Sequence, residues 1–422
     1  MVAPVPLHAG ADPESTSWLG MDRWAFLGRP WALAFVALAV LAGVAVARWP
    51  MHVRRASIAG RVALDRAWVR AVLAAASVIP FWFTRNHQEN LDGSLLQQKI
   101  AAGVAANGSF VTHDEMLELY LHSRLWEMLN PAWGWDVAHT YRVVSCLAGG
   151  VAVYLGLGLI RRFPATRWPF VVLGLFAGGW VLIFFGDVEN YTLTNVVVLA
   201  YLAAALRFLD EKDARLWPVG VILGVGTLCH LEALVLAPSL LVLLVTAYRR
   251  GRRLDAVLAA GAGPVLLAAA LWFFDHHGLP ISNLTTHSQI SAQGGHFGSF
   301  LSPPSPDYIW MQLQLLLLLA PAVALLPALL VGDSRPRGPY SLFLGVAAVG
   351  PILLVMLWRA QLGEYEDWNL YAIAAPPLGL FVFGALAMQK RVGRQAPWLV
   401  AALVLMASQS LAWVLEHHLL AR

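Results

Sequence analysis

Eight side chains suited to moving protons or binding metals, His87, Glu89, Asp92, His113, Asp114, Glu115, Glu118 and His122, are crowded into the stretch from Arg85 to Thr140. In a chain with only 13% charged residues, a loop does not need such a set merely to stay soluble. Carboxylates act as general bases and imidazoles as acids, bases or ligands, so this stretch is equipped for proton transfer.

Four smaller constellations follow along the chain. Gly186-Asp187-Val188-Glu189-Asn190-Tyr191 puts two carboxylates and an amide between two hydrophobic runs with almost no loop between them. Asp187 or Asn190 would cap the helix that begins near Tyr191. Capping accounts for one of these groups, not three, and burying the others at a membrane surface is costly. Cys229-His230-Leu231-Glu232 sits in the middle of an apolar run, 216–248, that is too short for two full spans of about 20 residues plus a turn. A short hairpin is expected there, with His230 and Glu232 at its tip lining a cavity open to one side. The loop 275–308 is rich in Gly, Ser and Pro and carries His276, His277, His287 and His296, but shows no tight metal-ligand spacing; a flexible lid is the better expectation. Arg359 through Tyr371 reads RAQLGEYEDWNLY. Arg359 can partner an anionic headgroup or pair with Glu364, Glu366 or Asp367, and Asp367-Trp368-Asn369 fits a helix cap with an interfacial aromatic.

The elements that position these groups are membrane spans. With 59% hydrophobic residues and a mean hydropathy of +0.63, the chain falls in the polytopic membrane class. Twelve spans are predicted, at 30–49, 67–84, 141–160, 168–186, 191–209, 216–230, 232–248, 255–274, 309–331, 341–358, 370–388 and 397–415. Residues 1–29, Trp-rich and without the marks of a cleaved signal peptide, read as an interfacial segment, and 30–422 as one transmembrane domain. Cys146 and Cys229 lie inside apolar runs and make no disulfide framework. Inside the first loop, apolar residues at helical spacing from Thr112 to Leu129 predict an amphipathic surface helix with a capping box at Thr112-His113-Asp114-Glu115; Leu95–Ala106 reads as a second, with Asp92-Gly93 at its start.

Between these spans, 21 of 29 Lys and Arg fall on one side, which the positive-inside rule assigns to the cytoplasm. Both termini and the 85–140 loop then face outward. The net charge of +4 reports this topology and not nucleic-acid binding. Acidic outer loops are the ordinary complement of a basic inner face. That does not explain why 12 of 13 histidines, all but His52, also lie outward, so chemistry or recognition is expected on the outer face.

Together, the outward loop with an Asp just after a span (Leu91-Asp92-Gly93), two surface helices, short hairpins, a late flexible outer loop and the segments FFGDVENYTL (184–193) and EYEDWNLYA (364–372) resemble the GT-C class of integral membrane glycosyltransferases. The resemblance implies an all-α polytopic bundle of about twelve spans, with 30–49 as an extra N-terminal helix. It implies a bacterial inner-membrane enzyme, mannosyltransferase-like, working on the extracytoplasmic face. The donor would be a polyprenyl-phosphate sugar, the acceptor a glycan, lipid or protein, and the surroundings membrane lipid. Asp92 would be the general base with Glu89 as fallback, and Arg359, Arg85 or Lys99 the phosphate partner. His87, His113, Asp114, Glu115, Asp187, Glu189, Asn190, His230, Glu232, Arg359 and Asp367 are the candidates for substrate binding. No cofactor is required; a divalent cation is compatible, with no metal site assigned. The rival readings are a transporter using intramembrane His230 and Glu232 as a proton relay, for which no pair of internal halves is found, and a non-catalytic scaffold, which would leave the outer carboxylates without a role.

Overall fold

The computed structural model describes residues 29–87, 91–107, 114–279, 281, 305–331, 338–358, 368–389 and 392–419. Its helices are α1 (Arg29–Arg48), α2 (Pro50–Leu64), α3 (Ala67–Phe83), α4 (Leu91–Asn107), α5 (Met116–Trp133), α6 (Val137–Leu159), α7 (Trp168–Phe176), α8 (Thr192–Asp210), α9 (Trp217–Cys229), α10 (Ala237–Arg249), α11 (Arg253–His276), α12 (Pro306–Leu319), α13 (Leu326–Val331), α14 (Pro339–Leu357), α15 (Ala375–Met388) and α16 (Val392–Leu419). The fold is all-α, as expected, and the chain is a multi-pass integral membrane protein. Eight helices among the described residues are long and apolar enough to cross a membrane, and α3 and α9 are shorter apolar helices. The remaining two predicted spans are helices broken by 3₁₀ turns, at Gly179–Phe184 after α7 and at Pro321–Leu325 after α12. Helix α2, which lies where only a basic connection was expected, docks its Arg61 on the carbonyls of Arg161 and Phe163 at 2.8 and 2.7 Å.

Two apolar clusters organise the packing. The larger, around Trp180, Tyr201, Phe208, Phe343, Tyr371 and Phe383, fills the middle of the bundle. The smaller, with Leu96, Ile100, Met116, Leu119, Val137, Tyr141, Val188, Leu228 and Phe274, joins α4 and α5 to the ends of α6, α9 and α11. The two loop helices are therefore seated on the bundle by their apolar faces, which is where most helix stability comes from in a folded protein. By contrast α1 exposes Trp31, Leu33, Leu38, Val40 and Leu41, as a helix against lipid does.

The two ends of the bundle differ in chemistry as the charge pattern requires. At one end Arg162 meets Asp210 at 2.5 Å, Arg250 donates to Phe208 O at 2.8 Å, Arg252 meets Asp255 at 3.0 Å and Arg167 donates to Ala387 O at 2.7 Å. These arginines hold late carbonyls of α8 and α15, the last acid of α8 and the first-turn acid of α11, so they close helix ends on that side. The acids, amides and histidines of interest collect at the other end.

Candidate functional site

The turn between the 3₁₀ segment Gly179–Phe184 and α8 is the centre of that end. Gly186 takes φ of +75°, a conformation that costs a side-chain-bearing residue free energy. A Cβ there would also stand 2.9 Å from Arg85 Cβ, so the turn and the start of the first loop are in close contact. The turn's polar groups, expected at a membrane surface, are instead enclosed by protein: Asp187, Glu189 and Asn190 are at most 2% exposed. Enclosure requires hydrogen-bond partners, and those of Asp187 and Asn190 come from other segments. Asp187 accepts from Asn86 Nδ2 at 3.4 Å and from Asn369 Nδ2 at 3.3 Å. Asn190 donates to Glu115 Oε2 at 2.6 Å and accepts from Tyr141 OH at 2.7 Å.

Neither Asp187 nor Asn190 caps α8, contrary to expectation. The N-cap residue is Tyr191, which makes no side-chain cap bond. The free amides of the first turn are met from outside the helix: Leu193 N donates to Glu118 Oε1 at 3.0 Å, and Thr194 N and Oγ1 to Glu118 Oε2 at 3.4 and 3.2 Å. The predicted capping box is also displaced. Helix α5 begins at Met116 with Glu115 as N-cap and no side-chain cap bond. Glu118 and His122 share the buried face of α5, with Glu115 half-buried at its N-cap. His122 Nδ1 donates to Glu118 O at 2.9 Å and its ring lies flat on Tyr141, centroids 3.8 Å apart. In this setting, outside the spans, burial pushes the Glu118 carboxyl up to about 8, against the lowering effect of its Leu193 and Thr194 bonds. Burial pushes the His122 imidazole down to about 4.

The short hairpin is present. At about 1.5 Å per residue, the 13 residues of α9 rise about 20 Å, less than the ~30 Å of a hydrocarbon core. His230 stands extended at the tip, its Nδ1 accepting from Glu232 N at 3.2 Å and its ring 4.9 Å from that of Tyr191. Leu231 N donates to Asp114 O at 2.8 Å, which ties the hairpin tip to the start of α5. Both carboxylate oxygens of Glu232 are buried without a hydrogen-bond partner among the described residues.

Asp92 is placed by its backbone, in the first turn of α4. That turn lies against the central turn: a Cβ on Gly93 would stand 2.6 Å from Val188 O. His87 lies to one side, with its ring 5.1 Å from His418 and its amide donating to His417 O at 3.4 Å, while His418 Nδ1 donates to Arg85 O at 3.0 Å. Arg85 itself donates to Trp82 O at 3.0 Å and covers the Trp82 ring. Trp368, expected as an interfacial aromatic, is buried against Trp413, with ring centroids 4.6 Å apart. Glu89, His113, Arg359, Asp367 and the loop 282–304 lie outside the described residues. Among the described residues, no group of three His, Cys, Asp or Glu is placed to hold a metal ion.

The structure thus joins Asp114, Glu115, Asp187, Asn190, His230 and the start of α4 at the end of the bundle opposite the arginines. It adds Asn86, Tyr141, Asn369, His417 and His418, which the sequence reading did not assign to the site. Asn86 lay within the Arg85–Thr140 stretch and Asn369 within EYEDWNLYA, so proximity to the chosen carboxylates was the available signal. Tyr141 opened a predicted span, and only the fold shows its hydroxyl turned to Asn190.

No protein-family model matches the chain, and no curated protein matches it. Solved structures do. ArnT from Cupriavidus metallidurans bound to undecaprenyl phosphate superposes with a TM-score of 0.59 at 16% identity, over 83% of this chain and 76% of that one. The same protein in the apo state gives 0.56 at 15% identity, over 83% and 77%. The fold resembles that of ArnT. The all-α multi-span bundle that the sequence resemblance implied is therefore present, and the likeness to ArnT at this identity is a likeness of fold.

Proposed function

We propose that the chain is a GT-C glycosyltransferase that moves a sugar from a polyprenyl-phosphate donor to a hydroxyl of a glycan, lipid or protein acceptor, on the extracytoplasmic face of a bacterial inner membrane. The observation that carries this reading is the fold likeness to ArnT bound to undecaprenyl phosphate. It is supported by the collection of buried acids and amides at the bundle end opposite the arginines. In this reading the chain crosses the membrane twelve times with both termini outside, 1–29 lies at the interface and 30–422 forms one transmembrane domain.

The chemistry asks little of the protein beyond placement. The acceptor oxygen bonds to the anomeric carbon, the bond from that carbon to the phosphate oxygen breaks, and the lipid phosphate leaves with the electron pair. A base must take the acceptor's proton and cations must hold the phosphate. Asp92 is our candidate base, with Glu89 as the alternative. Arg85, Lys99 and Arg359 are the candidates for the phosphate, and the short hairpin at His230 and Glu232 leaves room for the headgroup. The test is titration of the purified protein in nanodiscs with undecaprenyl phosphate, followed by transfer assays with radiolabelled polyprenyl-phosphate sugars, each with EDTA and with Mg²⁺ restored to measure any cation requirement. Saturable binding and transfer are expected; the absence of both removes the reading.

One observation favours a second reading. The buried carboxyl of Glu232, without a hydrogen-bond partner among the described residues, would suit a proton relay in a transporter. Proteoliposomes with a pH-sensitive dye decide it: proton flux lost in Glu232→Gln, with no sugar transfer by the parent protein, would establish transport.

A further inference from the structure

Glu118 belongs to no substrate contact argued above, yet it is the most elaborately placed carboxyl in the structure. It is fully enclosed, it reaches from α5 across to α8, and it receives three donors there, Leu193 N, Thr194 N and Thr194 Oγ1. The first amides of a helix have no partner within it and carry the positive end of its dipole, so an acceptor from elsewhere both satisfies them and fixes the helix end. The same two elements are joined a second time, through Asn190 Nδ2 and Glu115 Oε2 at 2.6 Å. Tyr141 closes the circuit, donating to Asn190 Oδ1 at 2.7 Å while lying face to face with His122, whose Nδ1 donates to Glu118 O. Residues 115, 118 and 122 of one helix are thereby locked to 190, 193 and 194 of another segment, around a single residue of α6.

We propose that Glu118 is the positioning residue of the outer end: by taking the first-turn donors of α8 it holds the 186–191 turn in register with α5, and so sets where the turn meets the first turn of α4. The proposal rests on the glycosyltransferase reading only for what the register is used for; the latch itself is a property of the chain. A surface helix laid on the bundle by apolar contacts alone can slide, whereas three hydrogen bonds to one carboxyl and a fourth through Asn190 admit a single docking. Glu118 also makes the latch sensitive to protons. The groups that face it are Glu115 and His122 on its own helix, Tyr141 on α6, and Cys229 and Glu232 at the hairpin; α8 contributes only neutral donors. No cation among the described residues pairs with it. Its carboxyl holds its proton up to about 8. Opening the latch returns Glu118 to water and to an ordinary carboxylate pKa, so the closed state binds the proton more tightly. Closure is then fully supported below the ordinary value, weakens as pH rises, and levels off above about 8.

The experiment is amide hydrogen exchange on the full-length protein in nanodiscs, without ligand, read at residues 186–196 between pH 5 and 9 and corrected for intrinsic rate. In the parent protein, protection of Leu193 and Thr194 should fall by at least about tenfold between pH 5 and 8 and then hold constant. Glu118→Gln, which keeps a carbonyl acceptor but cannot titrate, should show protection that does not vary with pH. Glu118→Ala should lose protection at 190–194 at every pH while the middle of α8 keeps it. A Glu118→Gln profile that still follows the parent's pH dependence overturns the proposal, as does unchanged protection in Glu118→Ala. If Glu118→Ala does not fold, the comparison of parent with Glu118→Gln decides. In transfer assays, Glu118→Gln should lower kcat more than it changes KM for the lipid donor. A parent protein that transfers no sugar defeats the glycosyltransferase reading, and the exchange result, which uses no substrate, then judges the latch by itself.

Discussion

Asp187 and Asn369, 182 residues apart in the sequence, meet side chain to side chain at 3.3 Å inside the protein. With Asn86 on the other carboxyl oxygen, the contact ties the first loop, the central turn and the segment Trp368–Ala374 to one buried carboxyl group. A carboxyl enclosed in this way needs its acceptor capacity met inside the protein, and these two amides supply part of it. Both bonds are long, so each is worth about 1 kcal/mol rather than the larger value of a short charge-assisted bond. Asn369→Leu should therefore lower unfolding stability by about 1–2 kcal/mol, and a double-mutant cycle with Asp187→Ala should show coupling of about 1 kcal/mol. Strict additivity in that cycle would show that the two side chains do not interact.

The flat stack of His122 on Tyr141 predicts an acid limb. An imidazole held down to about 4 in the fold and near 6.5 when unfolded binds fewer protons folded than unfolded between those values. Stability is fully present above about 6.5 and is lost as pH falls toward 4, by about 3 kcal/mol at most. Glu118, raised by burial, contributes the opposite trend to the parent and to the variant alike, so the readout is their difference: in thermal unfolding in detergent, His122→Phe, which keeps a ring against Tyr141 but cannot take a proton, should gain stability relative to the parent as pH falls from 7 to 4. Equal slopes in both proteins would remove His122 as the cause.

The arginine-rich end of the bundle makes the topology testable. Reporter fusions after Arg162, Arg215 and Arg253 should give cytoplasmic signals, because the segments carrying these residues join neighbouring helix ends on one side through Arg162–Asp210 and Arg252–Asp255. An extracytoplasmic signal at any two of the three would overturn the orientation.

If Asp92 takes the acceptor's proton, Asp92→Asn should keep the size and hydrogen-bonding capacity of the side chain while lowering turnover by about 10²–10⁴-fold. Binding of undecaprenyl phosphate should persist, and Glu89→Gln serves as the matched comparison. Near-normal turnover in Asp92→Asn would move the role to Glu89 or Glu189.

Much of this was legible in the sequence because hydrophobic runs and basic residues obey strong local rules. The long apolar helices, though not α2, the short hairpin at His230 and the segregation of charge follow from counting along the chain. The partners of the polar groups were not legible. Asp187 and Asn190 looked like caps for the helix beside them, since a side chain near a helix start is the usual acceptor. The fold instead brings Glu118 to that helix end from 75 residues away, and leaves Asp187 and Asn190 to hold other segments. Likewise α5 reads as amphipathic, but its pattern does not reveal that Glu118 and His122 belong to the buried side; polar groups enter a core only where partners wait, and those partners are long-range.

Helix α4 meets the central turn so closely that one added methyl group tests the contact. A Cβ on Gly93 would stand 2.6 Å from the carbonyl oxygen of Val188, closer than real Cβ contacts allow, and the obstacle is backbone that cannot rotate aside. Helix propensity alone favours alanine over glycine by about 1 kcal/mol, so without this contact Gly93→Ala would be neutral or stabilising. The clash reverses the sign: either α4 tilts away from the turn or the turn shifts with Val188. Both outcomes move the backbone of Asp92, the next residue, relative to Asp187, Glu189 and Asn190. Because a displacement of about 1 Å can cost about 10²-fold in a positioned reaction, Gly93→Ala should lower turnover by roughly 10–100-fold, with a loss of stability of only about 1–2 kcal/mol. Gly261→Ala is the comparison, since it sits in α11, where a Cβ meets nothing within 4 Å. A Gly93→Ala protein as stable and as active as Gly261→Ala would show that α4 does not pack on Val188 as described.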